Sequence, residues 1–130
     1  MINIIEFIQE KLKIDKDIEV GPDKKPDDPD TWGVGDILAG TWGYNMTLPI
    51  FYKIIKRTSK MITCVELSQK LASGHYNGSF ETIPDDSKLD KDLKREQIKA
   101  KLKDGSNYVK VKGHYVHLWD GKPVWGNDLD

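Results

Sequence analysis

The chain has 130 residues, of which 38% are hydrophobic and 32% are charged, so one domain with a buried core is expected. Twenty Lys and Arg against 21 Asp and Glu give a formal charge of −1, which removes the simplest argument for nucleic-acid binding. Its apolar stretches are too short for a transmembrane helix or a signal peptide, and the single Cys64 cannot form an internal disulfide. These features argue against a membrane or disulfide-rich protein and predict a single domain, residues 1–130, in a reducing cytoplasm.

The first 31 residues divide into a helix and a loop. Apolar residues recur at helical spacing within residues 1–14, which predicts an amphipathic N-terminal helix that packs on the rest of the domain. Residues 15–31 carry seven acids, three lysines and three prolines, and this composition predicts an extended acidic loop. We interpret the loop as a spacer, with an acidic docking segment as the alternative.

Two β-hairpins are predicted in the body of the chain. The strand-forming runs 50–57 and 60–67 are separated by a short polar turn and predict the first hairpin. Residues 98–103 and 108–112 alternate apolar and lysine side chains, and Asp104-Gly105 is a strong turn signal between them. We therefore expect these two segments to pair with each other.

Further strands are expected at 114–119 and 124–125, whereas 68–95 reads either as a strand pair or as a loop with a short helix. The β body then spans 33–125, and 126–130 form a polar tail. The predicted fold is mainly β (α+β), with about six or seven short strands. They form a small bent antiparallel sheet or an SH3-like barrel, preceded by the N-terminal helix.

The segment from Gly35 to Thr47 holds three glycines, Trp42 and Tyr44. Glycines let the backbone turn sharply, and Trp and Tyr offer large faces with a polar end. One hypothesis is a recognition loop in which both rings contact a partner. The other is that Trp42 closes the end of a small barrel as part of the core.

Two motifs carry a resemblance to a known group of proteins. The first runs from Gly35-Asp36-Ile37-Leu38 through Thr41-Trp42-Gly43-Tyr44 to Phe51-Tyr52, and the second is Leu118-Trp119-Asp120-Gly121-Lys122-Pro123. Together they resemble small uncharacterised proteins of phages and integrated elements of Gram-positive bacteria. The resemblance implies an origin in a mobile element and a location in the bacterial host cell, and it implies no mechanism.

The sequence offers little for catalysis or metal binding. His114 and His117 lie three residues apart, so on a strand they point to opposite faces and do not form a metal pair. Cys64 lies within a strand-forming run, where a small buried residue is the ordinary explanation. We therefore expect no enzyme activity, no metal and no cofactor; a small hydrolase or metal enzyme using His75 with the other histidines is the least favoured reading.

Lysines are concentrated in the second half of the chain. Residues 88–112 hold nine bases against four acids, while 41–65 hold four bases and no acid. On the predicted hairpin, one sheet face carries the lysine set Lys99, Lys101, Lys103, Lys110 and Lys112. Such a face is either a phosphate-binding surface or a solvated face that prevents aggregation.

Two functions follow from these residues. The preferred one is a non-catalytic phage or mobile-element accessory protein that binds a host macromolecule, most plausibly a host protein, as a counter-defence or host-modulating inhibitor. Its expected contacts are Trp42, Tyr44, Trp119 and Trp125. The alternative is a nucleic-acid-binding module that combines the lysine face with the aromatic loop. No membrane partner is expected.

Overall fold

The computed structural model describes residues 25–43, 46–75, 78–85, 96–103 and 105–127. The predicted helix at 1–14, Tyr44, Asp104 and residues 128–130 of the tail lie outside the described residues. Eight strands are present in the described part: β1 (Ile37–Trp42), β2 (Leu48–Arg57), β3 (Met61–Gly74), β4 (Ser79–Asp85), β5 (Ile98–Lys101), β6 (Val109–Val111), β7 (His114–Leu118) and β8 (Val124–Asn127). Among those residues, no helix has the length and apolar character needed to cross a membrane.

The strands form one open antiparallel sheet in the order β6-β7-β1-β2-β3-β4-β8, and β5 pairs with β3 off this path. The mainly β antiparallel prediction is confirmed, with eight strands in the described part rather than six or seven. The first half of the long strand β3 pairs with β5, and its second half pairs with β4. β5 also lies beside β6.

The hairpin predicted around residues 58–59 is confirmed as β2 and β3. Thr58 closes its turn, because its N–H donates to the Met61 carbonyl at 2.9 Å and its hydroxyl accepts the Met61 N–H at 3.1 Å. A register shift between Ile54 and Lys56 interrupts the pairing. The bulge exchanges the buried and exposed positions of β2 beyond Ile54, so Lys56 is exposed and Arg57 is buried.

The prediction that 98–103 pair with 108–112 is wrong. Both segments are strands, but β5 pairs with β3 and β6 pairs with β7. The turn that selects the second pairing is Lys112-Gly113, where both residues have positive φ, 50° and 82°. A two-residue turn of this kind matches the right-handed twist of the flanking strands, whereas Asp104-Gly105 lies in a longer connection.

The ambiguous region 68–95 begins as a strand pair, since β3 continues to Gly74 and β4 returns from Ser79. Strand β8 then pairs with β4 and returns to the start of β2 through a bridge between Thr47 and Asn127. At this corner a Cβ on Gly126 would lie 2.6 Å from Pro49 Cδ and 2.7 Å from the Phe80 ring. A side chain does not fit here, so glycine lets β8 pack directly on these two residues.

The core lies on the inner face of the six strands from β5 through β3, β2, β1 and β7 to β6. The inward positions alternate along each strand. In β2 and β3 the opposite face is buried as well, at Phe51, Val65 and Leu67. The core residues are Trp32, Leu38, Ile50, Tyr52, Ile54, Ile62, Cys64, Ala100, Val109, Val111 and Val116. Trp32 precedes the sheet and is completely buried, with its indole N–H donating to the Lys25 carbonyl at 3.0 Å.

Candidate binding groove beside Trp42

A groove of about 520 Å³ opens where the end of β1, the start of β2 and the turn between β6 and β7 meet. Its apolar and aromatic lining consists of Trp42, Leu48, Pro49, Ile50, Phe80 and His114. Glu66, Gln69 and Lys112 supply the polar lining. This volume and this mixture, mostly apolar with a few polar groups, are those of a ligand-binding cleft.

Trp42 is the residue that most directly marks the groove as a contact surface. It is the last residue of β1, on the same face as the buried Leu38, and it pairs in register with Leu48. Its side chain is 46% exposed and stacks on the His114 ring with 5.5 Å between ring centroids. Trp42 is therefore half-exposed at the end of the sheet, whereas Trp32 is completely buried.

Tyr52 and His114 form the polar contact beneath Trp42. The Tyr52 hydroxyl and His114 Nδ1 are 3.2 Å apart, which holds the imidazole ring in place under the indole. Burial, reinforced by the nearby Glu66 carboxylate, raises the pKa of the Tyr52 phenol to about 12. The phenol therefore stays neutral at physiological pH, and it orients His114 without adding charge to the groove.

Lys112 belongs to the groove and not to a lysine face. Its ammonium lies 2.6 Å from a Glu96 carboxylate oxygen, and this hydrogen bond raises the pKa of Lys112. Lys112 and Glu66 also line a neighbouring cavity of about 280 Å³, so the two cavities share these two residues. The expectation that Lys112 continues the row of Lys99 and its neighbours rested on a β5–β6 hairpin that does not form, although the two strands lie beside each other.

The other lysines lie in two places. Lys99 and Lys101 are exposed on β5, and Lys103, beyond the end of that strand, is exposed as well. Lys110 lies on β6, with its ammonium 5.6 Å from the centroid of the Tyr115 ring. β5 and β6 hydrogen-bond to different strands but lie beside each other, so the predicted lysine set is carried by two neighbouring strands that do not pair.

The remaining predicted contact residues are not part of the groove. Trp119 is half-buried; its ring meets Phe51 edge-on at 6.3 Å, and its indole N–H donates to the Lys122 carbonyl at 2.7 Å. Trp119 thus stabilises the turn of the second motif. Trp125 is 50% exposed on β8, opposite Glu81, and does not line the groove. Tyr44 lies outside the described residues.

The groups considered for chemistry are separated or buried. His114 faces the groove while His117 lies on the opposite face of β7, as predicted from their spacing. Burial raises the pKa of the Cys64 thiol to about 12, so it is protonated at neutral pH and is a poor nucleophile. Within the described ranges, no group of three or more His, Cys, Asp and Glu is placed to hold a metal ion.

Sequence reasoning missed two important residues, Arg57 and Phe80. Arg57 was only counted among the four bases of residues 41–65. It is 1% exposed, and its guanidinium donates to the backbone carbonyls of Trp32, Asp30 and Thr58. Phe80 lies on β4, in the region for which the sequence left a strand pair and a loop open, and it lines the groove.

Comparison with protein-family models, with curated proteins and with solved structures finds no match to this chain.

Proposed function

We propose that this protein is a non-catalytic binding module that receives an apolar side chain of a partner protein in the groove beside Trp42. The observation that carries the proposal is the half-exposed Trp42 ring, fixed against His114 at the edge of an apolar groove. Tryptophan is among the residues that contribute most to protein interfaces when it lies next to a pocket. The resemblance to phage and integrated-element proteins implies an origin in a mobile element and no mechanism. A host protein as the partner, and inhibition or modulation of that protein as the outcome, are part of this proposal.

The groove suits a protein segment because it has an apolar floor and a polar rim. Leu48, Pro49 and Phe80 provide the floor, and burying apolar surface there favours association. Glu66 and Gln69 lie at the edge, and Gln69 already donates from Nε2 to the Pro49 carbonyl at 2.9 Å. An apolar centre with polar edges is the usual anatomy of a specific protein interface.

The test compares two tryptophans of equal exposure. Trp42 is 46% exposed and lines the groove, whereas Trp125 is 50% exposed and does not. Wild-type, Trp42→Ala and Trp125→Ala proteins are immobilised and exposed to nuclease-treated lysate of Gram-positive bacteria, then washed at high salt. The proposal predicts a discrete protein retained by wild type and Trp125→Ala and lost from Trp42→Ala, with all three baits folded by circular dichroism. Equal retention by all three baits would refute it.

Nucleic-acid binding by the exposed lysines of β5 is the second proposal. It is supported by the exposure of Lys99 and Lys101. Lys56 and Lys99 both pair in register with Thr63, so their side chains lie on the same face of the sheet. Replacing Lys99, Lys101 and Lys103 by Glu should abolish retention of nucleic acid at low salt without unfolding the chain. Retention that survives the triple replacement would remove this face from consideration.

A further inference from the structure

A second surface, on the opposite side of the sheet from the Trp42 groove, carries aromatic side chains at outward positions. Strand β6 and the residue before it present Tyr108 and Lys110, and β7 presents Tyr115 and His117. Tyr115 is 53% exposed. Outward positions on a solvated sheet usually carry polar side chains, so adjacent exposed rings call for an explanation.

The rings contact one another and lie beside a groove. Tyr108 meets Tyr115 edge-on at 5.0 Å and His117 at 6.4 Å between ring centroids. Beside Tyr115 and His117 lies a groove of about 400 Å³ whose lining includes the small residues Ala39 and Thr41 of β1. Trp119 also lines this groove.

We propose that this face, formed by Tyr108, Lys110, Tyr115 and His117, binds single-stranded nucleic acid by stacking bases on its rings. Side chains two residues apart on a strand are about 6.7 Å apart, roughly twice the 3.4 Å between stacked nucleotides. Tyr115 and His117 therefore suit two bases that are splayed apart rather than a duplex. Base stacking on exposed aromatic rings is the general mode of single-strand binding and requires no net positive charge on the whole protein.

The polar groups of the face match the same ligand. The Lys110 ammonium lies over the Tyr115 ring, so a base that stacks there displaces it toward the adjoining phosphate. His117 Nδ1 lies 3.0 Å from the Asn107 carbonyl, which can only accept, so Nδ1 carries the hydrogen. In the neutral ring Nε2 is then an acceptor, suited to an N–H donor of a base edge such as the imino N3–H of thymine or uracil.

A protein partner fits this face less well than the Trp42 groove. The outward positions of β6 and β7 alternate rings with a lysine and an imidazole and hold no aliphatic side chain. Covering them with an apolar protein surface would desolvate the ammonium without pairing it, whereas a phosphate pairs it. The proposal stands independently of the Trp42 groove and of the lysines on β5.

The experiment is a fluorescence anisotropy titration with labelled 15-nucleotide oligothymidine and oligouridine and with a duplex of equal length, at about 50 mM salt and up to ~100 µM protein. Tyr115→Ala should weaken single-strand binding about 5- to 100-fold, and Tyr115→Phe should keep it because the ring remains. Lys110→Gln should weaken binding and lower the salt slope by about one, while Lys70→Gln, an exposed lysine on β3 that belongs to neither lysine surface, should change neither. Lys99→Gln is measured beside them to test the β5 lysines. Thermal unfolding of each variant shows that the fold is kept.

Three results would overturn the proposal. They are absence of single-strand binding by the folded wild type, equal affinity of Tyr115→Ala and wild type, and preference for the duplex. If no oligonucleotide binds and Tyr115→Ala instead loses a protein retained by wild type, the face belongs to a protein interface. Loss of oligonucleotide binding only in Lys99→Gln would assign nucleic-acid binding to the β5 lysines.

Discussion

Arg57 is a buried cation whose replacement should destabilise the fold far more than its sequence context suggests. Its side chain is 1% exposed, Nε donates to the Trp32 carbonyl at 2.8 Å, and Nη2 donates to the Asp30 carbonyl at 3.2 Å. A further hydrogen bond from Nη1 reaches the Thr58 carbonyl. Arg57 thus connects the end of β2 to the segment that carries the buried Trp32.

The expected loss follows from the carbonyls left without donors. Arg57→Met keeps most of the aliphatic stem and removes all three hydrogen bonds. Each buried acceptor left unsatisfied costs about 1–3 kcal/mol. Asp30 is exposed and its carbonyl can turn to water, so two acceptors remain to be counted. We expect a loss of about 3–4 kcal/mol in the free energy of unfolding, which lowers the Tm of a chain of this size by roughly 10–15 °C.

Urea denaturation followed by tryptophan fluorescence and circular dichroism measures this loss. Arg57→Lys keeps the charge but not the planar set of donors, so it should fall between wild type and Arg57→Met. Lys60→Met, an exposed cation on the same hairpin, is the control and should change stability by less than about 0.5 kcal/mol. Stability of Arg57→Met within about 1 kcal/mol of wild type would refute the reasoning.

Three further predictions concern stability. The pKa values of the Cys64 thiol and the Tyr52 phenol rise from 9.0 and 10.0 to about 12 on burial, so folding keeps both groups protonated where the unfolded chain ionises them. The contribution of these groups to the free energy of unfolding should therefore be constant below about pH 9 and fall as the pH rises toward 12. Tyr52→Phe should make this fall less steep above about pH 10. Urea titrations at a series of pH values measure both effects. Gly126→Ala should cost about 1–3 kcal/mol because its Cβ would overlap its packed neighbours, whereas Gly78→Ala, where space is available, should be nearly neutral in the same assay. Trp42→Ala should cost only about 1–2 kcal/mol, because the stacked ring is half exposed; a loss above 4 would mean the ring is part of the core.

The sequence predicted those parts of the fold that depend on neighbouring residues. The β2–β3 hairpin has strand-forming runs on both sides of a short turn, and its local pattern sufficed. The partner of β5 is 34 residues away in the chain, since Ile98 pairs with Cys64, and no local signal specifies that distance. The Asp104-Gly105 turn signal therefore led to the prediction that β5 pairs with β6, whereas β5 pairs with the longer strand β3.

The candidate site was predicted in part for the same reason. Trp42 was recognised because it lies in a glycine-rich segment that is unusual in itself. Its stacking partner His114 and the floor residue Phe80 come from strands far along the chain, and only the pairing of β1 with β7 and of β3 with β4 brings them near. Arg57 could not be recognised as buried, because a bulge in β2 changes which face it occupies.

The most direct test of the central claim is the affinity of the wild-type, Trp42→Ala and Trp125→Ala proteins for the captured partner, measured by calorimetry after purification. The account predicts that Trp42→Ala raises the Kd at least about 30-fold, as expected when an anchor ring worth about 2 kcal/mol is removed. Trp125→Ala, with the same exposed ring but outside the groove, should change the Kd by less than about threefold. Equal Kd values for wild type and a folded Trp42→Ala would contradict the account.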